Sequence, residues 1–397
     1  MKSAAVLFIS HTADRTGAPI ELLRFLRWLD VHTSHRVLTL LQHGGELEAD
    51  FRALGSTRVW KRPLKTKKGW LHKTLEILRW EGFRNHLRWF GIRCWLLRFR
   101  VQLVYANTAF CGESLALLQG LQAPRVCRLH ELAYILGNFR YPHGFNSFQQ
   151  TLRSCDEYIV VSEAVARNLE VSHGVSPGRL HKVHGSVTPV DEDGYLDPSR
   201  TSHLKKKLRI SADAHVVGGC GSLHWHKGPD LFVQLAAILS RLGREDIHFL
   251  WLGGDLDSPP YRRLEFDIIR AGLSKRMHFV GHKADPYPYY ALMDVLTLVS
   301  REDAFPLANI EAGLLGKPVV CFQGSGGTEE WVDRGCGRAV PYLNLDAFLR
   351  EILELIDNAA VRAEMGDNCR REARNLLVER NAPRLHRILE ALMAGDG

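Results

Sequence analysis

Long hydrophobic runs are missing from this sequence. Nowhere in its 397 residues is there a stretch close to the ~20 consecutive apolar positions that a membrane-spanning helix needs. The opening MKSAAVLFISH offers six apolar residues before polar ones resume. That is short for the core of a secretory signal and reads better as a first strand, so export is not expected. Paired cysteines are missing too. The eight cysteines, Cys94, Cys111, Cys127, Cys155, Cys220, Cys321, Cys336 and Cys369, include no C-x-x-C, and most lie in apolar segments. A reduced cytosolic chain is the natural reading, and zinc is not expected without ligand spacing. There is no short tandem repeat, no low-complexity tract and no G-x-x-x-x-G-K-[ST] phosphate loop.

What is present is ordinary in amount and uneven in distribution. With 45% hydrophobic and 24% charged residues, the chain can bury large cores, and its length suits two domains. The formal charge is +8, yet residues 61–100 alone carry twelve Lys/Arg against Glu76 and Glu81, a net +10. One segment therefore decides the basic character.

Short apolar runs alternate with amphipathic stretches. AAVLFI (4–9), RVLTLL (36–41), VQLVYA (101–106), RVCRL (125–129) and EYIVV (157–161) read as strands, with a helix near 18–30. After a polar, turn-rich stretch at 190–205, read as a linker, the rhythm restarts. HVVGGCG (215–221), IHFLWLGG (247–254), MHFVGH (277–282), DVLTLVS (294–300) and KPVVCF (317–322) are strands, DLFVQLAAILSRL (230–242) is a helix, and PRLHRILEALM (383–393) closes the chain. The expectation is α/β: two doubly wound, Rossmann-like halves facing each other across a cleft. Their bounds are 1–195 and 196–375, with 376–397 a helix returning to the first. Ligands in such sheets sit at the carboxyl ends of the strands.

Three stretches at strand ends carry candidate chemistry. In GSLHWHKGPDLF, Lys227 lies between a strand exit at Gly221 and a helix start after Gly228. A cation beside free helix N–H groups suits a phosphate, although a solvated loop lysine would look the same. In SREDAFPLANIEAGLLGKPVV, Pro306 fits the first helical position and Gly316 the residue past the end. Glu311 then falls in the apolar stripe among Leu307, Ile310, Leu314 and Leu315, where a carboxylate needs partners. It is either a ligand-binding group or a core carboxylate satisfied by protein donors. Asp303, in the loop feeding that helix, can accept from hydroxyls. The glycines of GSGGTEEWV allow close backbone approach ahead of Glu330, or form an ordinary turn.

Together these stretches resemble glycosyltransferase family 4, the retaining nucleotide-sugar enzymes of the GT-B fold, of the bacterial cell-surface polysaccharide type. Asp303 and Glu311 match the family's two acids separated by seven residues, GKPVV follows, and GGTEE places Glu330 at the last glutamate of a Gly-Gly-x-Pro-Glu turn. Asp303 is one methylene shorter than the usual glutamate, and Ser222 stands where members commonly carry arginine. The resemblance implies an acceptor domain followed by a donor domain. Lys227 would hold the diphosphate, Asp303 the sugar hydroxyls and Glu311 the ribose. Phe305, Pro306 and Leu307 would line the sugar, and Ser222, Gly281 and Glu330 complete the donor set. In the first half, HTADRTGAPIELLRFL resembles the opening glycine loop, with Gly17 near the diphosphate, and CRLHELAYIL places His130 near the reacting sugar. Asn107 is a cleft residue or a turn residue.

The implied reaction is retaining transfer of a sugar from a nucleotide diphosphate sugar to a glycan or lipid-linked acceptor, in cell-surface polysaccharide synthesis. His130, Asp303 and Lys227 are the catalytic candidates. Other readings are a nucleotide-sugar epimerase of the same fold, or a non-catalytic protein binding nucleotide sugars or anionic membrane. No metal cofactor is expected; Asp255–Asp257 forms a D-x-D sequence, but in a turn context. Residues 61–100 interleave cations such as Lys65, Lys67, Lys68 and Lys73 with aromatics such as Trp70 and Trp80, which suits an anionic bilayer surface. Nucleic acid is the rival partner, and a helix pair with inward tryptophans the structural alternative. The family context favours the cytoplasmic face of a membrane.

Overall fold

The computed structural model describes residues 4–61, 87–138 and 144–395. The chain forms two compact units. One comprises Met1–Val161, Val165–His184 and Val378–Gly397, the other Ser162–Ala164 and Gly185–Leu377.

In the first unit, seven strands form a parallel sheet: β1 (Ala5–Ser10), β2 (Arg36–His43), β3 (Ser56–Lys61), β4 (Val101–Ala106), β5 (Arg125–Leu129), β6 (Glu157–Val160) and β7 (Leu180–Lys182). β1 is buried at every position, as expected for a strand covered on both faces. The order β3-β2-β1-β4-β5-β6-β7 reverses at β1. The loops after β1 and β4 therefore diverge and open a crevice at the carboxyl ends. The helix Gly17–His32 buries Leu22, Leu26 and Leu29 in a core shared with Leu385, Leu389 and Leu392 of the closing helix Val378–Ala394.

The second unit holds β8 (His215–Cys220), β9 (Ile247–Leu252), β10 (Met277–Gly281), β11 (Val295–Leu298), β12 (Val319–Phe322) and β13 (Gly337–Val340). Their order is β10-β9-β8-β11-β12-β13, all parallel, with the switch point between β8 and β11. The core gathers Phe232, Phe249, Trp251, Phe322 and Phe348. Buried side chains explain two glycines in β8. A Cβ at Gly219 would sit 2.5 Å from the Trp251 ring, and one at Gly218 would sit 2.0 Å from the Met293 sulfur.

The linker reading of 190–205 is corrected. Glu192–Leu196 and Pro198–Lys207 are helices, capped by Asp191 and Asp197, which accept from the N–H groups of Gly194 and Ser199. Tyr195 donates to Asp285 at 2.9 Å. Neither helix fully buries a residue, so no apolar period was there to read; the caps and Pro198 were the available signal. Among the described residues, no helix is long and apolar enough to cross a membrane.

Candidate active site

In the second unit, three loops meet at the carboxyl ends of β8, β11 and β12. The β8 loop turns through Gly221 and ends on Gly228, which has φ 71°. A Cβ at Gly228 would lie 2.0 Å from the Val299 carbonyl oxygen, so the turn runs directly against the backbone following β11. Arg301 N–H donates to the His226 carbonyl at 2.7 Å, which joins the first two loops. The β12 loop is fastened in turn: Asp303 N–H donates to Ser325 O at 2.7 Å, and Gly327 N–H to Asp303 O at 3.1 Å. A Cβ at Gly327 would be 2.2 Å from Ala304 O and 3.0 Å from the Phe305 ring.

This framework brings Lys227 and Asp303 into a direct ion pair, with both side chains largely buried. Pro306 is the N-cap of the helix Leu307–Leu314, with extended backbone (φ −68°, ψ 129°). It is not the first helical position; that residue is Leu307. The N–H groups of Leu307 and Ala308 open the helix directly after Pro306, while Asn309 N–H donates to Pro306 O at 3.1 Å. Glu311, one turn on, is half-buried and accepts from the Tyr290 hydroxyl at 3.2 Å, which in turn lies 3.2 Å from the Cys220 thiol. Burial, then Cys220 and Glu311, hold the Tyr290 hydroxyl well above its ordinary pKa, so it stays a donor. The carboxylate in the apolar stripe thus has a buried phenol as one partner. Glu330 belongs to the turn Thr328–Trp331 and accepts the Glu163 N–H at 2.5 Å.

Arg301 was not foreseen. It makes a two-pronged pair with Asp230 (2.9 and 2.7 Å), donates to Trp225 O at 2.8 Å and lies 4.5 Å above the Trp225 ring. Its charge is matched by Asp230, so it positions the loop that carries Lys227. Ser222 is half-buried in that same loop. Gly281 stands apart, at the end of edge strand β10, where its carbonyl accepts from Gly253 N–H at 2.9 Å. Beside it Asp255 accepts the Asp257 N–H at 2.9 Å, a turn closed by its own side chain.

In the first unit, His130 follows β5. Its Nδ1 lies 3.5 Å from Glu21, whose other oxygen pairs with the buried guanidinium of Arg128. Arg128 also donates to the carbonyls of Val183 (3.3 Å) and His184 (2.9 Å). Burial, then Arg128 and His11, push His130 well below the ordinary histidine pKa, so the ring is neutral near pH 7. Its Nε2 is buried with no hydrogen-bond partner among the described residues. Directly after it, Glu131 accepts N–H groups from Ala109 (3.2 Å) and His130 (3.0 Å). Gly17 opens the helix after β1, and a Cβ there would meet nothing within 4 Å. Asn107 is a fastener: its amide donates to Ala18 O at 2.9 Å. Glu21 carried the same signal as Glu311, a charge among Leu22, Leu23 and Phe25, and was passed over. Lys65, Lys67, Lys68, Lys73, Trp70 and Trp80 lie outside the described residues.

Residues 201–374 match the family described as Glycosyl transferases group 1, and residues 35–191 the one described as Glycosyltransferase Family 4. The chain is 26% identical over 254 residues to the lipopolysaccharide core biosynthesis mannosyltransferase LpcC of Rhizobium leguminosarum bv. viciae, covering 62% of this chain and 67% of that one. It is 26% identical over 176 residues to the D-inositol 3-phosphate glycosyltransferase of Mycolicibacterium gilvum, covering 43% of this chain and 38% of the relative. Among solved structures, Anabaena Alr3699/HepE in complex with UDP-glucose superposes with a TM-score of 0.78 at 20% identity, over 98% of this chain and 99% of that one.

Proposed function

With its two halves in glycosyltransferase family 4 and the group 1 glycosyl transferases, the chain is a glycosyltransferase of the GT-B class, and we propose that it moves a sugar from a nucleotide diphosphate sugar to a glycan or lipid-linked acceptor, with retention at the anomeric carbon. The observation that carries the donor assignment is the Lys227–Asp303 pair at the switch point of the second sheet.

That pair acts as an exchangeable contact. A diphosphate competes with Asp303 for the Lys227 ammonium, and the released carboxylate is then free to accept sugar hydroxyls. Lys227 and the first-turn N–H groups of the helix Leu307–Leu314 stabilise charge developing on the departing phosphate. Glu311, oriented by Tyr290, accepts from vicinal ribose hydroxyls. Within the first unit, the neutral His130, with Nδ1 facing Glu21, keeps its Nε2 as an acceptor. Transfer itself uses no metal, and the leaving phosphate takes the acceptor proton. The relatives' names, a lipopolysaccharide core mannosyltransferase among them, support an acceptor of cell-surface glycan type.

Isothermal titration of UDP- and GDP-sugars, paired with radiolabelled transfer to lipid acceptors, tests this reading. Lys227→Ala and Glu311→Ala should each weaken donor binding at least tenfold with the fold intact. Asp303→Asn should cut turnover while leaving nucleotide diphosphate affinity equal or higher, because Lys227 loses its competitor. Wild-type donor binding in both of the first two variants, or equal loss of free-nucleotide affinity in the third, would overturn the assignment. Turnover should also survive excess EDTA, and abolition restored by manganese would bring Asp255 and Asp257 back as a metal site.

A further inference from the structure

Apart from the donor loops, one cluster has the composition of a metal site. His35 precedes β2, at the amino end of that strand and so at the sheet edge opposite the loops after β1, β4 and β5. His386 and Glu390 stand one turn apart on the closing helix Val378–Ala394, where residues four apart share a face. His35 Nε2 is 3.1 Å from His386 Nε2 and 2.6 Å from Glu390 Oε1, and His386 Nε2 is 3.3 Å from the same oxygen. Among the described residues this is the group of His, Cys, Asp and Glu side chains whose ligand atoms converge closely enough for one ion.

Three ligand atoms at these separations outline one face of a coordination polyhedron. Zinc held at about 2.0–2.1 Å by imidazole nitrogen and carboxylate oxygen gives tetrahedral edges of ~3.3 Å. Two of the three observed edges are near that value, and the third opens by a small rotation of the half-exposed Glu390. Without a cation, the two imidazole Nε2 atoms share Glu390 Oε1 as an acceptor, with the ring tautomers setting which nitrogen donates. A divalent cation takes all three lone pairs together. His35 Nδ1 is buried with no partner among the described residues, and that holds with or without an ion.

We propose that His35, His386 and Glu390 bind one divalent transition-metal ion of the zinc class, with water in the solvent-facing fourth position. Its role is structural. It clasps the closing helix to the start of β2, joining residues 351 positions apart in sequence. Trp28, 5.8 Å from His386 and stacked on His32 at 4.6 Å, supplies an apolar wall that restrains the ligand ring.

The test uses full-length protein without a polyhistidine tag, stripped with EDTA and dialysed. Equimolar ZnSO4 should raise Tm by several degrees, and elemental mass spectrometry should find about one zinc per chain. Co(II) should give visible d–d bands of a low-coordinate N,N,O site. Glu390→Gln, at a half-exposed position that tolerates the change, should weaken zinc binding at least tenfold, and His386→Ala should abolish it. UDP affinity should be the same in all forms. No stoichiometric metal and no Tm rise with zinc or cobalt would overturn the proposal, leaving a hydrogen-bonded network. A rise of equal size in Glu390→Gln and His386→Ala would overturn it as well.

Discussion

Glu21, Glu131 and Glu311 sit in apolar surroundings, and each is satisfied differently. Glu21 has a buried guanidinium, Glu311 a buried phenol, and Glu131 two backbone N–H groups and, among the described residues, no paired cation. The last arrangement is the weakest, and burial raises the Glu131 carboxyl from 4.5 to about 7. Between those pH values the folded protein holds a proton that the unfolded chain has released. Stability attributable to Glu131 therefore falls as pH rises through this window and stays lower above it. The full difference is on the order of 3 kcal/mol. Burial holds His11 down at about 4, which acts in the opposite sense below 6.5, but it is common to wild type and variant and cancels between them. Urea unfolding at pH 5 and pH 7.5 should show wild type losing more stability than Glu131→Gln across the interval. Equal losses in the two proteins would remove Glu131 as the source.

At the level of elements, the donor loops are set by glycines whose reasons differ. Gly324 has φ 69° and open space around its Cβ position, whereas Gly327 has ordinary backbone angles and no space at all. Gly324→Ala should thus cost about 1 kcal/mol of backbone strain and keep turnover. Gly327→Ala must push Ala304 and Phe305 aside, displace Asp303 and lower turnover at least tenfold. Transfer assays on the pair, with equal turnover as the result that sinks the argument, separate loop position from loop strain. The contrast also shows what the sequence could express. Continuous apolar runs made most of both sheets legible, because parallel strands buried on two faces have little polar content. Leu180–Lys182, three half-covered or exposed residues, had no such run, and β3 and β13 were passed over with it. The acids at 303 and 311 were legible as a spacing. The Arg301–Asp230 and Arg128–Glu21 pairs were not, since each joins positions that only the fold brings together. The same holds for His35 with His386, which lie 351 positions apart.

At the scale of the whole molecule, the uneven charge is the property still to be assigned. Most of residues 61–100 lies outside the described part, and the helix at 87–96 is the described portion with side chains to read. Ile92, Trp95 and Leu96 are buried, and Trp95 donates to Ser56 at 2.9 Å. Phe99 lies under Arg36 at 4.6 Å. For these residues the inward-facing reading holds. Leu87, Phe90 and Leu97 are 54%, 66% and 85% exposed, and Arg93, Arg98 and Arg100 are exposed near them. Apolar side chains flanked by arginines on a firmly anchored helix fit an anionic bilayer surface, where each basic residue contributes about 1 kcal/mol. We propose that this face and the preceding lysines hold the enzyme reversibly at such a surface. Sedimentation with phosphatidylglycerol vesicles should capture wild type at low salt and release it as salt rises. Joint reversal of Lys65, Lys67, Lys68 and Lys73 to Glu should release it while sparing donor binding. Phe90→Ser with Leu97→Ser should weaken capture at every salt concentration, because the apolar contribution is not screened. Single-stranded nucleic acid added as competitor should leave capture unchanged. If wild type ignores the vesicles at low salt, or the nucleic acid displaces it from them, the basic segment serves another partner and the enzyme meets its acceptor without the help of lipid charge.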